Sequence, residues 1–198
     1  PDLFDVLLRF RVGEYFVLGD FEKAFWQVRE MDRDALRFLW GNRILRMTCV
    51  PFGLVCSPAI LQVVVRYYLQ HCDGDQEVVR TLLRSLYVDD LITSVFDESF
   101  AVMLWGEAVK IMASAKINLR KLRTNSPLLL RDVAVKQEPC QKVAGVMCDF
   151  EQDLVLPAFV LTDLVVPDII TKRILASILA KVYDPHGLIC PLLCGLKV

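Results

Sequence analysis

Leu83-Arg84-Ser85-Leu86-Tyr87-Val88-Asp89-Asp90-Leu91-Ile92-Thr93-Ser94-Val95 sets two adjacent carboxylates inside an apolar, β-favouring run. Leu86, Tyr87 and Val88 before the pair suit a strand, as do Ile92, Thr93 and Val95 after it. Aspartate is depleted in strand interiors, so two in succession mark the tip of a hairpin. On a continuous strand their side chains would diverge to opposite faces, whereas a turn can bring both to one rim. An ordinary Asp-containing turn satisfies the same pattern. The stretch gains weight only from a second one, Tyr15-Phe16-Val17-Leu18-Gly19-Asp20. Four large apolar residues in a row read as a strand buried on both faces, and it runs directly into Asp20. A carboxylate at the end of a buried strand needs a partner, either an arginine or a metal ion.

Working outward, residues 1–14 read as a short amphipathic helix that ends near Gly13. Phe21 to Val28 has helical spacing at 21, 24, 25 and 28, and core packing alone would account for Phe25. Asp32-Arg33-Asp34-Ala35 is polar and cap-like. Arg37–Trp40 and Arg43–Met47 flank Gly41-Asn42 as a hairpin with a tight turn. Val50 to Pro58 holds two prolines and a glycine and must be a shaped loop. Ser57 is a good N-cap and Pro58 a good first helical residue. The helix from there to about His71 is so uniformly apolar that burial in the middle of the domain is expected. A short helix from Glu77 to Leu83 then leads into the Asp89 hairpin.

Past the hairpin, Asp97 caps a helix from Glu98 to about Ala115, with Val102, Trp105, Val109 and Met112 on the packed face. Asn118 to Asn125 is a basic strand and turn, either a solvated face or a phosphate-facing one. Lys142–Phe150 and Leu154–Leu156 flank Glu151-Gln152-Asp153 as a further hairpin. Pro157 and Pro167 bracket a linker. Thr171 caps a helix through Tyr183 with Ile174, Ile178, Leu179 and Val182 on its apolar side, and Asp184-Pro185-His186-Gly187 stops it.

Of the 198 residues, 55% are hydrophobic, which requires a packed core and argues against disorder. The net charge is −1, from 23 basic and 24 acidic residues, which counts against a stand-alone nucleic-acid binder but not against an enzyme that holds cations with carboxylates. No apolar run reaches the ~18 residues of a membrane span, so no membrane partner is expected. The start, Pro1-Asp2-Leu3-Phe4, has no signal pattern and reads as an excised piece of a longer chain. Seven scattered cysteines and two histidines offer no zinc spacing. They read as reduced, mostly buried thiols of an intracellular protein.

In an antiparallel sheet the Asp89-Asp90 hairpin can lie beside the strand that ends at Asp20, gathering three carboxylates at one edge. Three carboxylates cannot share an edge in ionised form without cations. Mg²⁺ is the natural one, being hard and oxygen-loving. Two such ions ~3.5–4 Å apart activate a hydroxyl and stabilise a leaving pyrophosphate in line. That is nucleotidyl-transfer chemistry.

The same residues resemble the reverse transcriptases of Pao/BEL-type LTR retrotransposons. Tyr87-Val88-Asp89-Asp90 resembles the catalytic box of that family, and Asp20-Phe21-Glu22-Lys23-Ala24-Phe25 the box with its first aspartate. Pro51-Phe52-Gly53-Leu54 with Ser57-Pro58 is similar to its loop and helix start near template and nucleotide. Leu119-Arg120-Lys121-Leu122-Arg123-Thr124-Asn125 resembles its basic stretch. Lys172-Arg173-Ile174-Leu175 and Tyr183-Asp184-Pro185-His186-Gly187-Leu188 resemble its post-palm segment. The motifs occur in the family's order over nearly the whole chain.

The resemblance implies an α+β polymerase palm over residues 1–156, an antiparallel sheet backed by helices, with partial fingers. It implies a linker and the start of a post-palm, thumb-like helical segment over 157–198. It makes Asp20 and Asp89 the main ligands of two Mg²⁺ ions (Mn²⁺ as a substitute), Asp90 the third carboxylate, and Lys121 a lysine near the pyrophosphate. Phe25 would gate against a ribose 2′-OH; Phe52, Gly53 and Tyr87 would lie at the nucleotide. The implied partners are an RNA or DNA template with its primer, deoxynucleoside triphosphates, and ribonuclease H and integrase segments of one polyprotein. The implied location is cytoplasmic, in a virus-like particle. The rival expectation is a catalytically silent retroelement remnant that serves as an interaction or nucleic-acid-binding module.

Overall fold

The structure is a computed structural model and describes residues 2–29, 33–133, 139–156 and 171–195. In chain order its elements are α1 (Leu3–Phe10), β1 (Tyr15–Phe21), α2 (Ala24–Gln27), β2 (Arg37–Trp40), β3 (Arg43–Arg46), α3 (Ser57–His71), α4 (Gln76–Ser85), β4 (Leu86–Tyr87), β5 (Asp90–Val95), α5 (Glu98–Ser114), β6 (Leu119–Thr124), α6 (Pro127–Asp132), β7 (Cys140–Val143), β8 (Val146–Asp149), β9 (Leu154–Leu156), α7 (Lys172–Leu179) and α8 (Cys190–Cys194). They fall into two units, Pro1–Val135 and Lys136–Val198. The architecture is mixed helix and antiparallel sheet, as the α+β expectation requires.

In the first unit the sheet runs β4-β5-β1-β6, with β1 antiparallel to both β5 and β6. Alternation along β1 explains why it is apolar on both faces. Val17 and Phe21 point into the helix-covered core with Leu91, Val95, Leu119 and Leu122. On that side α5 supplies Ala101, Leu104, Trp105, Ala108, Ile111 and Met112. A Cβ on Gly19 would lie 2.9 Å from the Trp105 ring, so only glycine lets this helix approach the strand. The opposite face is covered at one end by α1, which buries Val6, Leu7 and Phe10, the last edge-on to Phe16 with ring centroids 5.8 Å apart. Ser94 ties this cover down: its hydroxyl donates to the Arg9 carbonyl at 2.7 Å and accepts from the Gly13 amide at 2.8 Å. The other end of that face lies beyond α1 and carries Asp20 and Asp90.

Several expectations are corrected. The helix expected from Phe21 to Val28 is one turn, Ala24–Gln27. Phe21 stays in the strand because its amide donates to the Asp89 carbonyl at 2.9 Å, and the Glu22 amide to that of Asn118 at 2.8 Å. Ser57 is not the N-cap of α3. Its hydroxyl turns back and donates to the Pro51 carbonyl at 2.7 Å, closing the proline loop on itself. The helix α3 is not enclosed either: Leu61, Val65 and Leu69 are buried, while Val63, Val64 and Tyr67 are exposed. On α5, Val102 and Val109 only flank the buried stripe. The short helix α6 was not expected. It begins at Ser126, whose hydroxyl accepts from the Leu129 amide at 3.1 Å.

In the second unit the expected hairpin is a three-stranded meander, β7-β8-β9. The missed turn is Ala144-Gly145, both at positive φ, a type I′ pattern with an alanine where Asn or Asp would announce it. The Tyr183 ring lies against Gly145, and its hydroxyl donates to the Ala144 carbonyl at 3.1 Å. Thr171 caps α7 as expected, though the helix stops at Leu179 and buries none of its side chains. The expected linker between Pro157 and Pro167, and Asp32, lie outside the described residues. Of the seven cysteines Cys148 is buried, Cys49 and Cys72 are half-buried and the other four are exposed, so the expectation of mostly buried thiols fails.

Candidate active site at the carboxylate edge

Asp20 is the sixth residue of β1, directly opposite Asp90, the first residue of β5. Cross-strand partners share a face, so the register puts both carboxylates on one side of the sheet. The hairpin tip is Val88-Asp89, not Asp89-Asp90: Tyr87 pairs with Asp90 across the turn. Asp89 is held next to Asp20 through its carbonyl, which accepts the Phe21 amide. Val88 adopts φ 55, a left-handed conformation rare for a β-branched residue. Its side chain packs on the core and, with Val65, Leu69, Leu83 and Leu86, lines a small gap.

Electrostatics report the crowding. Burial, then the Asp89 and Asp20 charges, push the Asp90 carboxyl up to about 6; Arg123 and Lys121 oppose the rise. Asp89 is raised as well, by burial first and then by Asp20, with its own backbone N–H and Lys121 pulling the other way. Like charges at an edge with little solvent disfavour ionisation, and a cation relieves it.

The cations come from β6, through an irregularity. Leu18 pairs with Arg123 and Asp20 with Arg120, so Lys121 and Leu122 together face the single residue Gly19. This is a β-bulge, and Lys121 carries its positive φ, 55°. The extra residue shifts the side-chain phase. Leu119, Leu122 and Thr124 are buried toward the helices, whereas Arg120 and Arg123 share the face of Asp20. Lys121 Nζ then lies 2.7 Å from Asp20 Oδ2, and Arg120 Nε 3.0 Å from Glu22 Oε2. Asn125 secures the far end of the strand, accepting from the Phe16 amide at 2.8 Å and donating to the Glu14 carbonyl at 2.7 Å.

Phe25 is buried, with its ring edge-on to Phe52 at a centroid distance of 5.0 Å. Phe52 itself is exposed and Gly53, at φ 90, borders open space. Tyr87 is half-buried next to the tip. Sequence reasoning did not single out Arg123 or the bulge. The signal was present: inward residues at 119, 122 and 124 are spaced by three and then two, which a regular strand forbids.

The donor set suits a hard divalent ion, since it consists of carboxylates held together against their own repulsion. Among the described residues, however, no group of three or more His, Cys, Asp or Glu side chains converges tightly enough to hold a metal. Asp20 is engaged by Lys121 instead.

No family model matches the chain, and no curated protein matches it. Solved structures do. The foamy viral protease-reverse transcriptase in complex with an RNA/DNA hybrid is similar at 18% identity and TM-score 0.59, over 99% of this chain and 25% of that one. A second foamy viral protease-reverse transcriptase structure, in complex with double-stranded DNA, gives 19% identity and TM-score 0.59 over 92% of this chain and 30% of that one. The fold is reverse-transcriptase-like. The chain spans less than a third of the length of either structure. No helix among the described residues is long and apolar enough to cross a membrane.

Proposed function

We propose that the chain is the carboxylate-bearing part of an RNA-directed DNA polymerase of the Pao/BEL retrotransposon kind, which adds deoxynucleotides to a primer 3′-OH on an RNA or DNA template. The observation that carries this reading is the register Asp20 opposite Asp90, with Asp89 on the adjoining turn, on a reverse-transcriptase-like fold. Residues 1–156 would be palm with partial fingers, and 157–198 the linker and start of the post-palm segment. Deoxynucleoside triphosphates would be the substrates. Ribonuclease H and integrase segments of one polyprotein, in a cytoplasmic virus-like particle, would be its companions.

Two Mg²⁺ ions, or Mn²⁺, would supply activation of the primer hydroxyl and stabilisation of the leaving pyrophosphate. Asp20 and Asp89 would be the main ligands, with Asp90 the third carboxylate. With its carboxyl near 6, Asp90 is mostly ionised at neutral pH and adds negative charge to the edge. Lys121 would offer its ammonium beside the pyrophosphate. Phe25, fixed by burial and by the Phe52 ring, would present a rigid wall to the sugar and exclude a 2′-OH by overlap. Tyr87, Phe52 and Gly53 would flank the nucleotide.

A second reading, a silent remnant that only binds partners, is favoured by one observation: Asp20 is already paired with Lys121. Single-nucleotide addition to a primer–template with Mg²⁺ at low salt decides between them. The polymerase reading expects Asp89→Asn to lower addition by at least about a hundredfold, as loss of a metal ligand should. The chain by itself is expected to add single nucleotides at most, and addition that is unchanged in the Asn variant overturns the reading.

A further inference from the structure

Lys121 is placed on Asp20 by an unusual piece of backbone. In a regular β6 it would point to the face opposite Arg120, toward the helices with Leu119. The bulge and its positive φ turn it onto the carboxylate face, where Nζ reaches Asp20 Oδ2 at 2.7 Å. A lysine in the left-handed region is disfavoured and persists only where its surroundings fix it. The neighbouring guanidinium of Arg120 is committed elsewhere, to Glu22 at 3.0 Å. Lys121 is therefore the cation that the fold delivers to Asp20.

We propose that Lys121 is a resident counter-charge on Asp20, balancing the carboxylate edge in the absence of a divalent ion and leaving that carboxylate when one binds. The proposal rests on the reading of Asp20, Asp89 and Asp90 as a divalent-metal site. Two cations on one carboxylate oxygen repel at contact range, so ammonium and metal compete for it. The choice of lysine suits an exchangeable partner. It is a single-point, flexible charge, where an arginine fork would bind both carboxylate oxygens and be harder to displace. The Lys121 side chain is 68% exposed, so its ammonium can swing into water without crossing packed structure. For the same reason the competition is modest, about two- to fivefold in metal affinity.

Mn²⁺ binding to the 198-residue chain, followed at low salt by the electron paramagnetic resonance of the free ion, tests it. Lys121→Gly suits the positive φ, keeps the bulge and removes the charge; it should bind Mn²⁺ about two- to fivefold more tightly than the parent. Lys121→Arg should bind no more tightly than the parent, and thermal melting of both variants verifies that they are folded. As an independent readout, acetylation of the Lys121 amine by an activated ester, located by peptide mass spectrometry, should rise when Mg²⁺ is added. If Lys121→Gly binds like the parent or more weakly, while Asp89→Asn loses binding, the counter-charge is refuted and the metal site stands. If neither the parent nor Lys121→Gly binds Mn²⁺ saturably, the metal-site reading fails and this inference with it.

Discussion

Two hairpins of the first unit share one turn geometry and obey opposite rules. The β2–β3 hairpin turns at Gly41-Asn42 and the β4–β5 hairpin at Val88-Asp89, each a two-residue connection with positive φ at its first position, 58° and 55°. A glycine there is what the type II′ pattern demands. Valine is close to the worst choice. The first hairpin is exposed along every residue of both strands, so its turn follows local chemistry. The second is gripped from both sides: Leu91 and Ile92 are buried, Val88 packs on α3 and α4, and the Asp89 carbonyl holds β1. Local turn chemistry decides a hairpin only where tertiary packing does not, and the overruled hairpin is the one with the carboxylates. Strain held in this way persists only where the surroundings over-determine it, and such positions cluster at functional sites.

The contrast breaks most visibly in the strands. Leu91→Ala removes a fully buried side chain and should cost about 2–5 kcal/mol. Leu39→Ala, at a position 76% exposed, should change stability by less than about 0.5 kcal/mol. Chemical denaturation of the two variants measures both. Comparable losses would mean that the exposed hairpin is packed against something in solution, and the difference between the two hairpins would vanish.

A smaller effect sharpens the electrostatic side. The folded-state carboxyl of Asp90 stands near 6, above its usual 3.8. The folded state therefore binds the proton more tightly, and this group's contribution is fully present below about pH 4. It is lost as pH rises toward 6 and is flat beyond. Asp90→Asn removes that loss. The variant's stability relative to the parent should increase by about 1–2 kcal/mol between pH 4 and pH 6.5, after allowance for solvent screening of a half-buried group. Denaturation across that range without added metal is the measurement. A constant difference would mean that neither burial nor the neighbouring carboxylates raise the Asp90 carboxyl. Asp97, whose carboxylate is held low by the Ser99 hydroxyl and amide at the start of α5, titrates with the opposite sign in parent and variant alike, and cancels.

The same contrast explains what could be read in the sequence. Asp20 and Asp89-Asp90 were legible because charged residues at the ends of apolar runs violate burial, and such violations need no partner to be noticed. The strands β1, β5 and β6 and the cap residues Asp97 and Thr171 follow from alternation and hydrogen-bonding chemistry carried by a few adjacent residues. What failed depends on distant residues. The apolar surface of α3 does not state whether a neighbour covers it. Ser57 looks like a cap until the Pro51 carbonyl is placed beside it. Ala144 and Val88 sit at positive φ that their own chemistry disfavours, so one turn was missed and the other misplaced by one residue. The bulge at Lys121 was written in the 119, 122, 124 spacing but needed Gly19 opposite to give it meaning.

The finest test exchanges the rule between the two turns. At Gly41 a Cβ would meet nothing within 4 Å, so Gly41→Val adds no clash and no packing; only the backbone cost of φ 58 remains. That cost is about 1–2 kcal/mol for a β-branched residue. At Val88 the same exchange runs backwards. Val88→Gly relieves about as much strain, but it gives up the half-buried contacts with α3 and α4 and lets the unfolded chain gain freedom. These terms offset to within about 1 kcal/mol, so Val88→Gly should be nearly neutral while Gly41→Val is measurably destabilising. Urea midpoints of the two variants decide it. If Val88→Gly were clearly stabilising, the packing around the tip would be too weak to hold the turn against its own preference, and Asp89 would not be rigidly placed. If it were clearly destabilising, the valine side chain, rather than the backbone around it, would be what fixes the carboxylate edge.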